Sequence, residues 1–142
     1  MTYTYHEKKI VAVLSANLEI GIALNVVGHL ALSLGAYAKR DVLGRPMLPD
    51  ASGTIHIGIS KYPVIITKVK PNRLRRLVQD ARKLEGVFLA DYPEQMLITG
   101  HDDELADALS SIEETDINYL GAILYGGSDL INQLTGKFSL WR

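Results

Sequence analysis

Apolar positions along this chain fall into short continuous runs and longer helical stripes. Residues 8–17, KKIVAVLSAN, hold a continuous run rich in valine, which predicts a buried central strand. Residues 20–38 follow as a predicted helix that is apolar almost all the way round. Such a helix must be covered on both sides, and the sheet and a second subunit are the candidates.

The rest of the chain repeats this alternation. Predicted strands are 62–69, 87–91, 96–99, 117–127 and 137–141, with 54–59 as a short strand or edge hairpin. Predicted helices are 71–86, 101–114 and 128–136, and residues 39–53 form a long loop. Asn72 and Ser128 are the expected helix caps, and Gly86 and Gly136 the expected stops.

Strands that alternate with helices predict an α/β layer fold. With 142 residues and no linker or repeat, we expect one domain over residues 1–142. Its central sheet should be mixed, mostly parallel, and flanked by helices.

Composition narrows the classes of function. The chain has no cysteine, which excludes disulfides and thiolate sites and is typical of the cytoplasm. With 15 basic and 16 acidic residues, it is unsuited to sequence-independent binding of DNA. Asn25, His29 and glycines interrupt the apolar segment, so we expect no membrane span, and no leader pattern precedes it. No metal spacing and no cofactor motif is present.

A polar stripe lies within the apolar helix predicted at 20–38. Asn25, His29 and Ser33 are four residues apart and therefore share one helix face. If they line a cleft, His29 could act as an acid, a base or a hydrogen-bond donor near neutral pH. The alternative is a buried polar network that has no chemical role.

Other candidates lie in loops. Asp91 ends a predicted strand, a common place for a site in α/β sheets, and could orient His29; equally, it could bond its own backbone. Gln95 is a possible ligand donor. Gly127 and Ser128 open a helix whose free N–H groups could bind an anion, although a tight turn and cap explain them as well.

Three stretches of the chain resemble the archaeal/eukaryotic-type peptidyl-tRNA hydrolases. They are VAVLSANLEIGIALNVVGHLALSLGA (11–36), the strand–helix–strand–Asp segment at 62–91, and the tail LGAILYGGSDLINQLTGKFSLW (120–141). The resemblance implies that family's type II α/β fold, with this chain in an uncharacterised bacterial branch. It also implies that His29 and Asp91 occupy the positions of a histidine and an aspartate in that family's motifs.

Several positions depart from that family's pattern. Ile22 stands where the family has a lysine, Val26 where it has a glutamine, and Gln95 where it has a threonine. Residues 101–116 look like an insertion. Hydrolysis of peptidyl-tRNA is therefore doubtful even if the fold is shared.

These observations predict an uncharacterised binding domain without catalysis. It would recognise a small molecule, a tRNA-derived ligand or a partner through Asn25, Ser33, Gln95, Gly127 and Ser128. The alternative is a hydrolase of peptidyl-tRNA or a related ester or amide, with His29 and Asp91 as the catalytic pair. We also expect a homodimer, since the first helix is apolar all round and rich in small residues.

Overall fold

The computed structural model describes residues 3–142 and consists of seven strands and five α-helices. The strands are β1 (Lys8–Ser15), β2 (Met47–Pro49), β3 (Ile55–Ile57), β4 (Val64–Val69), β5 (Phe88–Pro93), β6 (Tyr119–Gly127) and β7 (Ser139–Leu140). The helices are α1 (Ile20–Ala38), α2 (Pro71–Arg82), α3 (Gln95–Ile98), α4 (Asp102–Ser110) and α5 (Ser128–Thr135).

Five of the strands form one sheet in the order β5-β6-β1-β4-β7. Only β1 and β4 pair in parallel, and the other three pairings are antiparallel. The prediction of a mixed sheet flanked by helices is confirmed. The prediction that the sheet is mostly parallel is wrong, because β6 and β7 return to their neighbours in the opposite direction.

Helices cover both faces of this sheet. Helix α1 packs on one face, against β5 and β6, while α2 and α5 pack on the other. Residues of β1 alternate between the two cores, with Ala12 and Leu14 facing α1 and Val11 and Val13 facing α2. Strand β1 is therefore apolar on both faces because both are covered, as its continuous apolar run predicts.

Strands β2 and β3 form a separate antiparallel hairpin inside a stretch predicted as loop and short strand. Its pairing continues towards the sheet through a bridge between Leu43 and Ser60. Met47, Ile55 and Ile57 are exposed on it. We call residues 43–60 the hairpin arm.

The structure corrects four further local predictions. Residues 96–99 belong mainly to helix α3 rather than to a strand. The caps of α2 and α5 are Lys70 and Gly127 rather than Asn72 and Ser128. The Ser128 hydroxyl instead donates to the carbonyl of His6. The predicted stop at Gly136 is confirmed, since it is the C-cap of α5. The predicted stop at Gly86 is wrong, because α2 ends at Arg82 and Lys83 is its C-cap.

Helix α1 and the turn after it, Ile20–Asp41, are long and apolar enough to cross a membrane, with a mean hydropathy of 1.6. That composition has a second explanation, because the inward side of α1 is part of the domain core. Ala23, Val26, Leu30 and Leu34 are buried against the sheet. Length and hydropathy alone are therefore weak grounds for a membrane span here.

Helix α2 begins without a side-chain cap, and this gives a testable prediction. Lys70 occupies the cap position in an extended conformation, but its side chain cannot accept a hydrogen bond from the first turn. Lys70→Asp should raise the free energy of unfolding by about 1 kcal/mol, because a carboxylate accepts that bond and complements the helix dipole. Urea unfolding measures the gain. Lys70→Ala is the control, and an equal gain in it would contradict the capping explanation.

Candidate ligand-binding cavity

A cavity of about 350 Å³ lies between α1, β5 and the α3–α4 segment. We call it the His29 cavity. It is lined by His29, Leu30, Ser33, Ala90, Asp91, Tyr92, Met96, Thr99, Gly100, His101, Asp102 and Leu105. Its volume is at the lower end of the range for small-molecule sites, and it combines an apolar floor with a few polar groups, as such sites do.

Helix α1 supplies two of the polar groups. His29 and Ser33 lie one turn apart and border the cavity together, as their spacing predicts. The His29 ring lies beside that of Tyr92, with 6.1 Å between the ring centroids. Within residues 3–142, neither the His29 nor the Ser33 side chain has a hydrogen-bond partner. His29 is exposed and Ser33 is partly buried, so a ligand in the cavity can replace water at both side chains.

The opposite wall contributes a second imidazole. His101 caps α4, and its Nδ1 accepts a hydrogen bond of 3.1 Å from the backbone N–H of Asp103. In this arrangement the neutral ring carries its proton on Nε2, which is then a donor. The sequence predicts a helix from residue 101, and in the structure His101 is the residue that caps it. Its position on the cavity wall depends on how α4 folds over β5.

Asp91 borders the cavity, but its carboxylate lies on the other face of the sheet. There it forms an ion pair with Arg82 of α2. Successive strand residues point to opposite faces, so Tyr92 contacts His29 while Asp91 faces α2. The structure thus does not assemble His29 and Asp91 as a working pair. Their catalytic roles stay predictions.

Asp91 belongs to a polar network centred on Tyr119. The Tyr119 hydroxyl donates to Glu114 at 2.8 Å and accepts from Arg82 at 3.1 Å. The Arg75 guanidinium also donates to the backbone carbonyl of Glu114 at 2.9 Å. Burial raises the pKa of Asp91, and the positive charge of Arg82 opposes this. The network holds α2 against the edge of the sheet and explains Asp91 without a ligand.

Two predicted ligand residues lie outside the His29 cavity. Asn25 is exposed on the outer side of α1. Gln95 begins α3, and its Oε1 is buried with no hydrogen-bond partner within the described chain. Their binding roles stay predictions.

Gly127 and Ser128 border a different cavity, of about 420 Å³, at the start of α5. Glu7 and Asp129 line the same cavity. Two carboxylates disfavour an anion there, and local structure accounts for both residues, since Gly127 is the N-cap of α5 and the Ser128 hydroxyl bonds the carbonyl of His6. Gly127 ends β6, whereas Tyr92, beside His29, pairs with Gly121 near the start of that strand, so the two cavities lie at opposite ends of β6.

Residues 3–142 contain no group of three or more His, Asp or Glu side chains placed to hold a metal ion. Sequence reasoning missed Tyr92, Thr99, His101 and Leu105 as cavity residues. No local sequence pattern places these four residues together, because β5, the segment after α3 and α4 meet only in the folded chain.

Comparisons with known proteins place the chain in a family. Residues 8–142 match the family model described as "Protein of unknown function (DUF2000)". A solved structure of a protein of unknown function from Agrobacterium tumefaciens strain C58 is similar, with a TM-score of 0.84 and 21% identity. That alignment covers 96% of this chain and 98% of the other, and it shows a shared fold. A search of curated proteins finds no match.

The predicted relationship to the peptidyl-tRNA hydrolases is wrong. The family match and the similar structure lead to proteins of unknown function, and neither points to such a hydrolase. The motifs behind the resemblance have a local cause. For example, a Cβ at Gly126 would lie 2.7 Å from the backbone oxygen of Gly86, so packing alone requires glycine in the tail motif. Small residues at such contacts arise in unrelated sheets.

Proposed function

Since this chain belongs to the DUF2000 family, whose function is unknown, we propose that it is a binding domain whose His29 cavity holds a small molecule. The single observation behind this proposal is the composition of the cavity wall. Within residues 3–142, the accessible side chains of His29 and Ser33 have no hydrogen-bond partner, and they stand beside an apolar floor. Unpaired donors next to apolar surface are typical of ligand sites.

The chemistry of the wall favours one class of ligand. Leu30, Tyr92 and Leu105 are suited to an aromatic or aliphatic body. His29, Ser33 and the Nε2 of His101 can donate to an acceptor such as a carbonyl oxygen. Asp102 at the rim disfavours a strongly anionic head group. We propose a neutral small molecule with an apolar body and a carbonyl group.

Binding fits the geometry better than hydrolysis does. A general base needs an orienting partner within hydrogen-bond reach, and the carboxylate of Asp91 is held by Arg82 instead. The absence of cysteine is consistent with a cytoplasmic setting, which we include in the proposal.

Benzamide is a minimal probe for this cavity, since it has a flat apolar ring and one carbonyl group. It should bind with a Kd on the order of millimolar, as expected for a fragment of its size. Amide ¹H–¹⁵N spectra during a titration should shift at residues around the cavity, on α1, β5 and α4. Benzene, which lacks the acceptor, should bind more weakly.

Two variants test whether the predicted donors carry the binding. His29→Ala should weaken benzamide binding severalfold, because it removes a donor from the wall. His6→Ala is the matched control, since His6 is exposed and lies outside the cavity. If a folded wild-type protein shows no shifts at the cavity, or if both variants bind equally, the proposed function is wrong.

A further inference from the structure

Helix α1 leaves a large apolar surface uncovered on the side opposite its sheet contacts. Leu24 is 64% exposed and Leu32 is 74% exposed, whereas Val26 and Leu30 on the other side are buried. A helix that is apolar all round is normally covered all round. Contiguous apolar surface of this kind marks an interaction site in a soluble protein.

This surface has an ordered pattern. Gly21, Gly28 and Gly35 recur every seven residues, so they form one line along the helix with a drift of about 20° per step. A Cβ added at any of the three would meet nothing within 4 Å. Leu24 and Leu32 flank the line, four residues before and four residues after Gly28. We call these five residues the Gly28 face.

The residues of the Gly28 face are arranged symmetrically about Gly28, with the same residue type at equal distances before and after it. This symmetry identifies the partner. We propose that it binds the Gly28 face of a second copy of this chain, antiparallel, about a two-fold axis that passes beside Gly28. In that arrangement Gly21 lies level with the partner's Gly35. Leu24 lies level with the partner's Leu32, and each leucine packs beside the glycine line of the other helix. A two-fold interface requires this self-complementarity.

The charges at the two ends of α1 fit the same arrangement. No charged residue occurs between positions 20 and 38, but Glu19 precedes the helix and Lys39, Arg40 and Asp41 follow it, so the end after the helix carries a net positive charge. All four are exposed. Antiparallel pairing brings the Glu19 of each copy near the Lys39 and Arg40 of the other. A parallel pairing would instead place like charges together at both ends.

The same symmetry completes the His29 cavity, a step that rests on the proposed function. A rise of about 1.5 Å and a turn of about 100° per residue place Asn25 and His29 on the same flank of the Gly28 face. A two-fold axis keeps that flank on one side of the dimer. The partner's Asn25 then lies level with Ala31, between His29 and Ser33. Its amide reaches the His29 imidazole, so Asn25 enters the site of the other copy.

Sedimentation velocity tests the interface. The wild-type protein should be a dimer at micromolar concentration, and Gly28→Leu should raise its dissociation constant about tenfold or more. The isolated chain has space for this side chain, so circular dichroism should show an unchanged fold. Leu140→Glu on the far edge strand β7 is the control and should stay dimeric. A monomeric wild type, or a Gly28→Leu variant whose dissociation constant is unchanged, overturns the interface.

Crosslinking tests the register. The chain has no cysteine, so Gly28→Cys introduces a single thiol beside the two-fold axis. Mild oxidation should convert this variant to a disulfide-linked dimer, while Ser110→Cys on exposed α4 should stay largely uncrosslinked. Equal crosslinking of the two variants would overturn the register. Flotation of the wild type with phosphatidylcholine vesicles would show that lipid covers this face, which also overturns the proposal.

Benzamide binding separates the interface from the site. Asn25→Ala should leave the dimer intact and weaken benzamide binding severalfold, and monomeric Gly28→Leu should show the same weakening. If neither variant changes the Kd, the cavities are independent of the interface and the contribution of Asn25 is wrong. A dimer that fails to bind benzamide even as wild type would instead contradict the proposed function and leave the two-fold interface standing.

Discussion

Gly121→Val should lower the free energy of unfolding by roughly 2–4 kcal/mol, because a side chain at this position would displace α1 from the sheet. A Cβ there would lie 2.8 Å from Cγ1 of Val26 and 2.9 Å from Cδ2 of Leu14. Both neighbours are fully buried in the core between α1 and the sheet, so neither has space to move away. Valine adds two more methyl groups to this contact.

Urea unfolding followed by circular dichroism measures that loss. Gly100→Val is the control, since a Cβ at Gly100 would meet nothing within 4 Å. It should change stability by less than about 1 kcal/mol. If both variants lose the same amount, the contact with Val26 would not be the cause. Because α1 carries His29, the surviving folded Gly121→Val should also bind benzamide more weakly.

Arg82→Met should lower the free energy of unfolding by about 2 kcal/mol at neutral pH. The substitution leaves the partly buried carboxylate of Asp91 without its ion-pair partner and removes a donor to Tyr119. Losing one partner of a buried pair typically costs about 3–5 kcal/mol, and we expect less here because the Arg82 side chain is 42% exposed. Methionine keeps most of the apolar length of the side chain.

The loss in Arg82→Met should depend on pH. Burial already raises the pKa of Asp91, and removing Arg82 should raise it further. The pKa of such a carboxyl is higher in the folded state than in the unfolded state. Its contribution to stability is fully present below the unfolded pKa and is lost as pH rises through the folded pKa. The difference between wild type and variant should therefore shrink as pH falls towards about 4.

Urea titrations at several pH values test this dependence, with Arg73→Met as the matched control. Arg73 lies over the ring of Phe138 and has no carboxylate partner among the described residues. Its substitution should have a small effect that does not vary with pH. A constant loss for Arg82→Met would show that its contact with the Tyr119 ring matters and its charge does not.

The sequence predicted the elements of this fold better than their arrangement. The bounds of α1 at 20–38 are confirmed, since a long apolar helix between charged ends is a strong local signal. Strand direction was predicted wrongly because it depends on pairings between distant segments, such as β1 with β6. Residues 96–99 were predicted as a strand because a short apolar run fits either structure, and only the packing beside β5 decides it.

The candidate site shows the same division between local and tertiary information. His29 and Ser33 share a cavity because their spacing on one helix places them together. The Asp91 carboxylate points away from them because successive residues of β5 face opposite sides of the sheet. The pairing of β5 with β6 decides which residues face which side. His101 reaches the cavity only through the path of α4, which no local pattern encodes.

The central position of β1 has a consequence for how the chain can fold during synthesis. One neighbour of β1 is β4, but the other is β6, which begins only at Tyr119. Helix α1 also rests largely on β5 and β6. A growing chain that ends before Tyr119 therefore carries α1 without most of its supporting surface. Most cooperative folding should wait until β6 has emerged from the ribosome, and until then α1 is a segment that chaperones can bind.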